Sequence, residues 1–238
     1  MKVFLSGQKS FGRECLLALL SAGHEITGVA IAPQKKQKDR MLGAALLNGV
    51  PVVTEAETLV SDMIPAGTEL IVSAHSHWMI SQKCLDKCPH GGIGFHPSLL
   101  PIHRGRDAVR WAVYMGDRIT GCTVYRLTDK CDGGEILLQR PIFIKPGWDY
   151  HRLWREMFPI GIDMIVKAVG LIEAGKETYT EQDEDCATWE PSWDRERLRR
   201  NELLQLPAGG GEDICRDCEM ECDTCTAHIS DPETYYRR

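Results

Sequence analysis

Over its first 130 residues the chain alternates short apolar runs with stretches of helical period, and this alternation restricts its possible folds more than any other feature. Residues 3–6 read as a strand stopped by Gly7, residues 11–22 place apolar side chains at helical spacing, and residues 25–32 read as a second strand. Residues 39–48 read as a helix, and residues 50–53, 69–74 and 92–96 as further strands. Strands alternating with helices form βαβ units, so the expected fold is α/β: a Rossmann-like, mostly parallel sheet with helices on both faces. In such sheets ligands sit at the carboxyl ends of the strands, which directs attention to the residues that follow each strand.

Beyond this region, residues 107–115 have a helical pattern, and residues 120–127 and 135–144 read as two strands around Cys131-Asp132-Gly133-Gly134. A long helix is expected from Asp149, its N-cap, to about residue 174, with Pro159 set to kink or divide it. Residues 194–206 read as a charged surface helix, and Pro207-Ala208-Gly209-Gly210-Gly211 ends all periodicity as a linker. The chain therefore divides into a body, residues 1–206, and a tail, residues 207–238. The 238 residues carry a net charge of −6, of which the tail holds −5 and the body −1. A nearly neutral body has no general nucleic-acid footprint. No apolar run approaches a membrane span and the first residues lack a signal-peptide stretch, so a soluble cytoplasmic protein is expected.

Two segments of the body carry candidate chemistry. In the first, Gly92-Ile93-Gly94-Phe95-His96-Pro97-Ser98-Leu99-Leu100-Pro101, continuing to His103-Arg104-Gly105-Arg106, a histidine ends a strand where a ligand can reach it. In the second, Asp132 stands before two glycines that let the backbone approach a substrate closely. A His and an Asp on adjacent loops can pair, the carboxylate fixing the tautomer of the imidazole and raising its basicity. The residue types alone equally allow a structural histidine and a turn-forming aspartate. His75-Ser76-His77 after the strand at 69–74, with His90 near in sequence, leaves a metal-dependent hydrolase open as well.

The run from His96 to Pro101 with Arg104-Gly105, then Thr120-Gly121-Cys122-Thr123-Val124 and Asp132-Gly133-Gly134-Glu135-Ile136-Leu137, resembles the formyltransferases that use N10-formyltetrahydrofolate. The resemblance spans roughly residues 1–193. It implies a catalytic His at His96 and Asp at Asp132, whereas the family's Asn falls on Gly94, which has no side chain to hydrogen-bond the formyl oxygen. Extra volume beside that oxygen, open to a water, is expected at Gly94. The resemblance further implies a pterin cleft between Trp78-Met79-Ile80 and the loop Leu127, Thr128, Asp129, Lys130, Cys131 and Asp132. An acceptor half-site is implied near Gly7, Gln8 and Lys9, with Ser98 and Arg104. The implied reaction is formyl transfer from N10-formyltetrahydrofolate to a small-molecule amine, such as a nucleotide-linked amino sugar or an amino acid. A formyltetrahydrofolate hydrolase and a folate-binding protein without turnover stay open as alternatives. tRNA is not the expected acceptor, because the short C-terminal tail is acidic and repels a phosphate backbone.

The tail carries Cys215, Cys218, Cys222 and Cys225 as two Cys-x2-Cys pairs. Each pair can grip a tetrahedral ion from one turn, and four thiolates among acids favour Zn2+ over a [4Fe–4S] cluster. Free or disulfide-paired thiols remain the other reading.

Overall fold

The computed structural model describes residues 1–31, 39–53, 59–76, 78–190 and 193. The elements run β1 (Lys2–Gly7), α1 (Lys9–Ser21), β2 (Glu25–Ala30), α2 (Arg40–Leu47), β3 (Val52–Val53), β4 (Leu70–Ala74), α3 (Gln82–Leu85), β5 (Gly92–His96), α4 (Ala108–Met115), β6 (Ile119–Arg126), β7 (Ile136–Phe143) and α5 (Tyr150–Glu173). They form one seven-stranded sheet in the order β3-β2-β1-β4-β5-β6-β7. The strands from β3 to β5 are parallel, and β6 and β7 add antiparallel to that edge. From β1 the chain travels outward to β2 and β3, then returns to start β4 on the other side. This reversal opens a crevice at the carboxyl ends of β1 and β4, where open α/β sheets bind ligands.

Both faces of the central strands are covered, which is why their sequences are apolar runs rather than alternations. Val3 and Leu5 of β1 and Leu70, Val72 and Ala74 of β4 join the larger core with α1, α2, α4 and α5. Phe4 and Ile71 turn to a smaller cluster with Ile64, Ile80, Cys84 and Leu85. Helices do lie on both faces, but unequally: the second face is closed by the four-residue α3 and a 3-10 turn at Ser61–Met63.

Two contacts seat the site-bearing strand. Phe11 of α1 packs on Phe95 with ring centroids 4.7 Å apart, backed by Trp154 and Phe158 of α5 at 5.5 Å each. Gly161 lets α5 come this close, since a Cβ there would stand 2.6 Å from the Phe95 ring. Pro159 does not divide the helix: α5 is continuous from Tyr150 to Glu173. The carbonyl that a proline leaves without a donor belongs to Arg155, and both residues are on the exposed face, where water can serve it.

After α5 the chain returns across the sheet edge. Thr180 bridges Ile136 of β7, and Trp189 bridges Arg104 in the loop after β5. This return has no helical or strand period, and no element was expected there. The expected helix at 194–206, the linker and the tail cysteines lie outside the described residues.

Candidate active site

His96 ends β5 and is only 5% exposed, and the loop that follows is pinned at several points. Ser98 Oγ donates to the Ile102 carbonyl at 2.5 Å, Thr123 Oγ1 donates to the Ser98 carbonyl at 2.7 Å, and Gln139 Nε2 donates to the Leu100 carbonyl at 2.6 Å. His96 Nε2 lies 2.6 Å from the His103 carbonyl oxygen. A carbonyl only accepts, so Nε2 carries the hydrogen and Nδ1 is the nitrogen left for proton transfer. Nδ1 faces Asp132 Oδ2 at 3.6 Å, beyond a direct hydrogen bond but within ion-pair range. The His103 ring in turn lies between two carboxylates, with Nε2 2.8 Å from Asp117 Oδ2 and Nδ1 3.0 Å from Glu190 Oε2, so the residue whose carbonyl orients His96 is anchored through its own side chain.

Asp132 has a positive φ of 50°, an uncommon conformation that Asp tolerates better than most residues. Its carboxylate is crowded with donors: the Tyr125 hydroxyl reaches Oδ1 at 2.6 Å, and the Gly105 N–H reaches Oδ2 at 2.7 Å. Burial pushes the Asp132 carboxyl up, but His96, the Tyr125 hydroxyl, the Gly105 N–H and the Cys131 thiol together overcome this and hold it below the usual carboxylate range. The group is thus an anion beside His96 at neutral pH.

The expected free volume at Gly94 is not found. Gly94 pairs with Tyr125 across β5 and β6, and a Cβ at Gly94 would stand 3.0 Å from the Tyr125 ring and 2.9 Å from Leu127. The space that a side chain at residue 94 would take is filled by these two neighbours.

Two expected acceptor contacts are occupied structurally. Ser98 is fully buried and its hydroxyl closes the loop to Ile102, so it faces no cleft. Arg104 is 5% exposed, and its guanidinium is held by Gln182 Oε1 at 2.8 and 3.1 Å and by Glu184 at 2.9 Å. Gln182 also donates from Nε2 to the carbonyls of Asp132, at 2.8 Å, and Gly134, at 2.6 Å. One side chain from the C-terminal return therefore ties the loop after His96 to the loop bearing Asp132.

At the crevice between β1 and β4, Gly7 is required by packing rather than by ligand approach, since a Cβ would lie 2.6 Å from the Ala74 carbonyl oxygen. Gln8 is the N-cap residue of α1 without a side-chain cap, and Lys9 begins the helix with φ 60°. The Lys9 N–H is taken by the Asp39 carboxylate at 2.7 and 2.9 Å, and Asp39 also caps α2 through Met41 N–H at 2.7 Å. Where a phosphate was expected at the start of α1, the chain supplies its own anion. Ser6 and Ser76 hydroxyls meet at 2.7 Å across the crevice. His75 stands beside them, and burial together with Lys9 and Arg106 pushes its pKa down to about 3, so the ring is neutral.

The two expected pterin loops do come together. Ile80 is buried in the second apolar cluster, and Trp78 and Leu127 pack against it, while Met79 is 62% exposed. Leu127 N–H donates to the Gly92 carbonyl at 2.9 Å. Asp129 and Lys130 are exposed, Thr128 and Cys131 half-buried. The metal reading gains nothing: His90 precedes β5 at the end opposite His96, His77 lies outside the described residues, and no three His, Cys, Asp or Glu side chains among the described residues group to hold an ion. Tyr125, Gln182 and Asp39 carry no local sign of a site role, and His103 is marked only as part of the run after His96, because what each does depends on a contact that the fold creates.

The formyl transferase family model matches residues 1–169. The chain is 39% identical over 201 residues to the mitochondrial 10-formyltetrahydrofolate dehydrogenase of Mus musculus, covering 80% of this chain and 22% of that protein. It thus spans about a fifth to a quarter of the length of the dehydrogenases it matches. It is 31% identical over 210 residues to the methionyl-tRNA formyltransferase of Acidobacterium capsulatum, covering 82% of this chain and 67% of that one. The N-formyltransferase of Helicobacter canadensis, solved with folinic acid and dTDP-3-aminofucose, superposes with a TM-score of 0.67 at 16% identity, over 80% of this chain and 70% of that chain. With this match over residues 1–169, and a strand-end histidine facing a half-buried carboxylate at the carboxyl edge of the sheet, the chain belongs to the formyl transferase family.

Proposed function

We propose that the protein transfers the formyl group of N10-formyltetrahydrofolate to the amine of a small molecule, with His96 and Asp132 as its catalytic pair. The amine attacks the formyl carbon, a C–N bond forms, and the resulting N–H proton passes to His96 Nδ1. The bond to N10 then breaks and N10 takes a proton, giving tetrahydrofolate and the formylated amine. The observation that carries this reading is the tethering of Nε2 to the His103 carbonyl, which leaves only Nδ1 open and sets it beside the Asp132 carboxylate. That carboxylate stabilises the imidazolium formed during transfer. Trp78, Met79 and Ile80 on one side and Leu127 to Cys131 on the other are the proposed walls of the pterin cleft, a reading supported by the apolar cluster that Trp78, Ile80 and Leu127 share.

For the acceptor, the anion already seated on Lys9 disfavours a phosphate at the start of α1, and the acidic tail disfavours a polyanion such as tRNA. Both support a small amine. A second reading, hydrolysis to formate with water in place of the amine, is favoured by the 39% identity to a 10-formyltetrahydrofolate dehydrogenase. Release of tetrahydrofolate and formate from N10-formyltetrahydrofolate, measured with and without a panel of amines, separates the two. In either reaction His96→Ala is expected to abolish turnover, and an unchanged rate in that variant overturns the assignment. For the tail we propose one Zn2+ held by Cys215, Cys218, Cys222 and Cys225, supported by the paired spacing alone.

A further inference from the structure

We infer that Tyr125 is a positioning residue for Asp132, and that Gly94 is glycine so that the Tyr125 ring can occupy that place. This rests on the reading of His96 and Asp132 given above. In the register of β5 on β6, Gly94 and Tyr125 are paired neighbours. A hypothetical Cβ at Gly94 would meet Tyr125 Cε1 and Cζ at 3.0 Å each, closer than side-chain carbons normally pack. Leu127 Cδ2 stands as near, at 2.9 Å, so a larger residue at 94 presses on the ring and on Leu127 together. The ring is 6% exposed and ends in a hydroxyl 2.6 Å from Asp132 Oδ1. Burial and the Asp132 charge push the phenol well above its ordinary value, so the hydroxyl stays protonated and donates.

A hydroxyl has one hydrogen. Here it is committed to the carboxylate, so Tyr125 does not serve the formyl oxygen directly. Its effect passes through Asp132, whose two oxygens are each given one short donor, one from Tyr125 and one from the Gly105 N–H. This fixes the carboxylate plane, and with it the distance from Oδ2 to His96 Nδ1. The charged and titratable groups facing Asp132 come from four directions: His96 at the end of β5, Tyr125 from β6, Cys131 from its own loop, and Arg104 from the loop after β5 with Glu184 behind it. Of these only Tyr125 donates to Oδ1.

The test is Tyr125→Phe, which keeps the ring and removes the donor. Turnover of N10-formyltetrahydrofolate should fall about 10- to 100-fold, the span of a hydrogen bond to a charged group, with KM for the folate little changed. The acid limb of the pH–rate profile should move to higher pH, because the carboxyl loses a donor that favours its charged form. Gly94→Ala should shift the same limb by displacing the ring, and the double variant should be no worse than the more damaged single, since both act on one contact. A carbon-detected NMR titration of the Asp132 carboxyl in the wild type and in Tyr125→Phe reads the same contact without turnover. A titration midpoint raised in the variant supports the proposal even if the wild type proves inactive on the folate, in which case the functional reading fails alone. Identical midpoints and an unmoved acid limb overturn it.

Discussion

At the residue scale, histidines carry most of the chemistry, and their surroundings assign them different tasks. His96 has one nitrogen tied to a carbonyl and the other facing a carboxylate, whereas His75 is kept neutral by burial with Lys9 and Arg106 nearby. The second arrangement has a stability cost in acid. The folded-state pKa of His75 is about 3, below its ordinary 6.5, so between those values the unfolded chain binds a proton that the folded chain refuses. Stability is therefore lost as pH falls through that window. His75→Asn suits the positive φ of 63° and removes the titration. Urea unfolding at pH 7 and pH 5 should show a smaller loss in the variant, by on the order of 1 kcal/mol. Equal losses in both proteins would refute this origin of the acid sensitivity. His96 and Asp132 were legible in the sequence because a strand end and a Gly-Gly loop mark them locally. Tyr125 was not: its meaning depends on facing Gly94 across a strand pair, and nothing within a few residues of position 125 signals that register.

At the scale of elements, period made the strands and long helices readable. β1, β2, β4 and β5, α1, α2, α4 and α5 all fall where the apolar pattern puts them, with β3 reduced to Val52–Val53. The return after α5 was illegible because it is stabilised by isolated bridges and side-chain hydrogen bonds, not by a repeating face. Its contribution is nonetheless direct. Gln182 spends both ends of its amide on the two site loops, receiving Arg104 and donating to the Asp132 and Gly134 carbonyls. Gly134 needs that tight backbone, since a Cβ there would overlap the Arg126 carbonyl. Gln182→Ala leaves two loop carbonyls and a buried guanidinium short of partners. It is expected to destabilise the fold by about 1–3 kcal/mol, read as a urea midpoint, and to slow turnover as Asp132 loosens. Gln182→Glu keeps the acceptor for Arg104 but not the two donors, so it should recover stability in part and turnover less. Full activity in Gln182→Ala would show that the loops hold their positions without the return.

At the scale of the whole molecule, the family match ends at residue 169, yet the structure closes later. Thr188 accepts the His103 N–H at 2.8 Å, Glu190 flanks the His103 ring, and the Trp193 N–H reaches Asp107 at 3.0 Å while its ring packs on Trp111 at 4.8 Å. Residues 180–190 and Trp193 thus pack and hydrogen-bond as part of the folded unit, although they carry no motif. The −5 tail beyond residue 206 is a different matter, since a nearly neutral body needs no acidic segment to balance it. Two truncations separate these roles. A chain of residues 1–206 is expected to unfold at the temperature of the full chain and to turn over N10-formyltetrahydrofolate at the same rate, while losing the one equivalent of zinc proposed for the tail. A chain of residues 1–177 loses the clamp on His103, Arg104 and the Asp132 loop, and is expected to unfold several degrees lower with little or no turnover. Equal zinc content in the full chain and in residues 1–206 removes the tail site. Full activity in residues 1–177 shows instead that the sheet alone holds His96 against Asp132, because the return is then the only part of the described site that is missing.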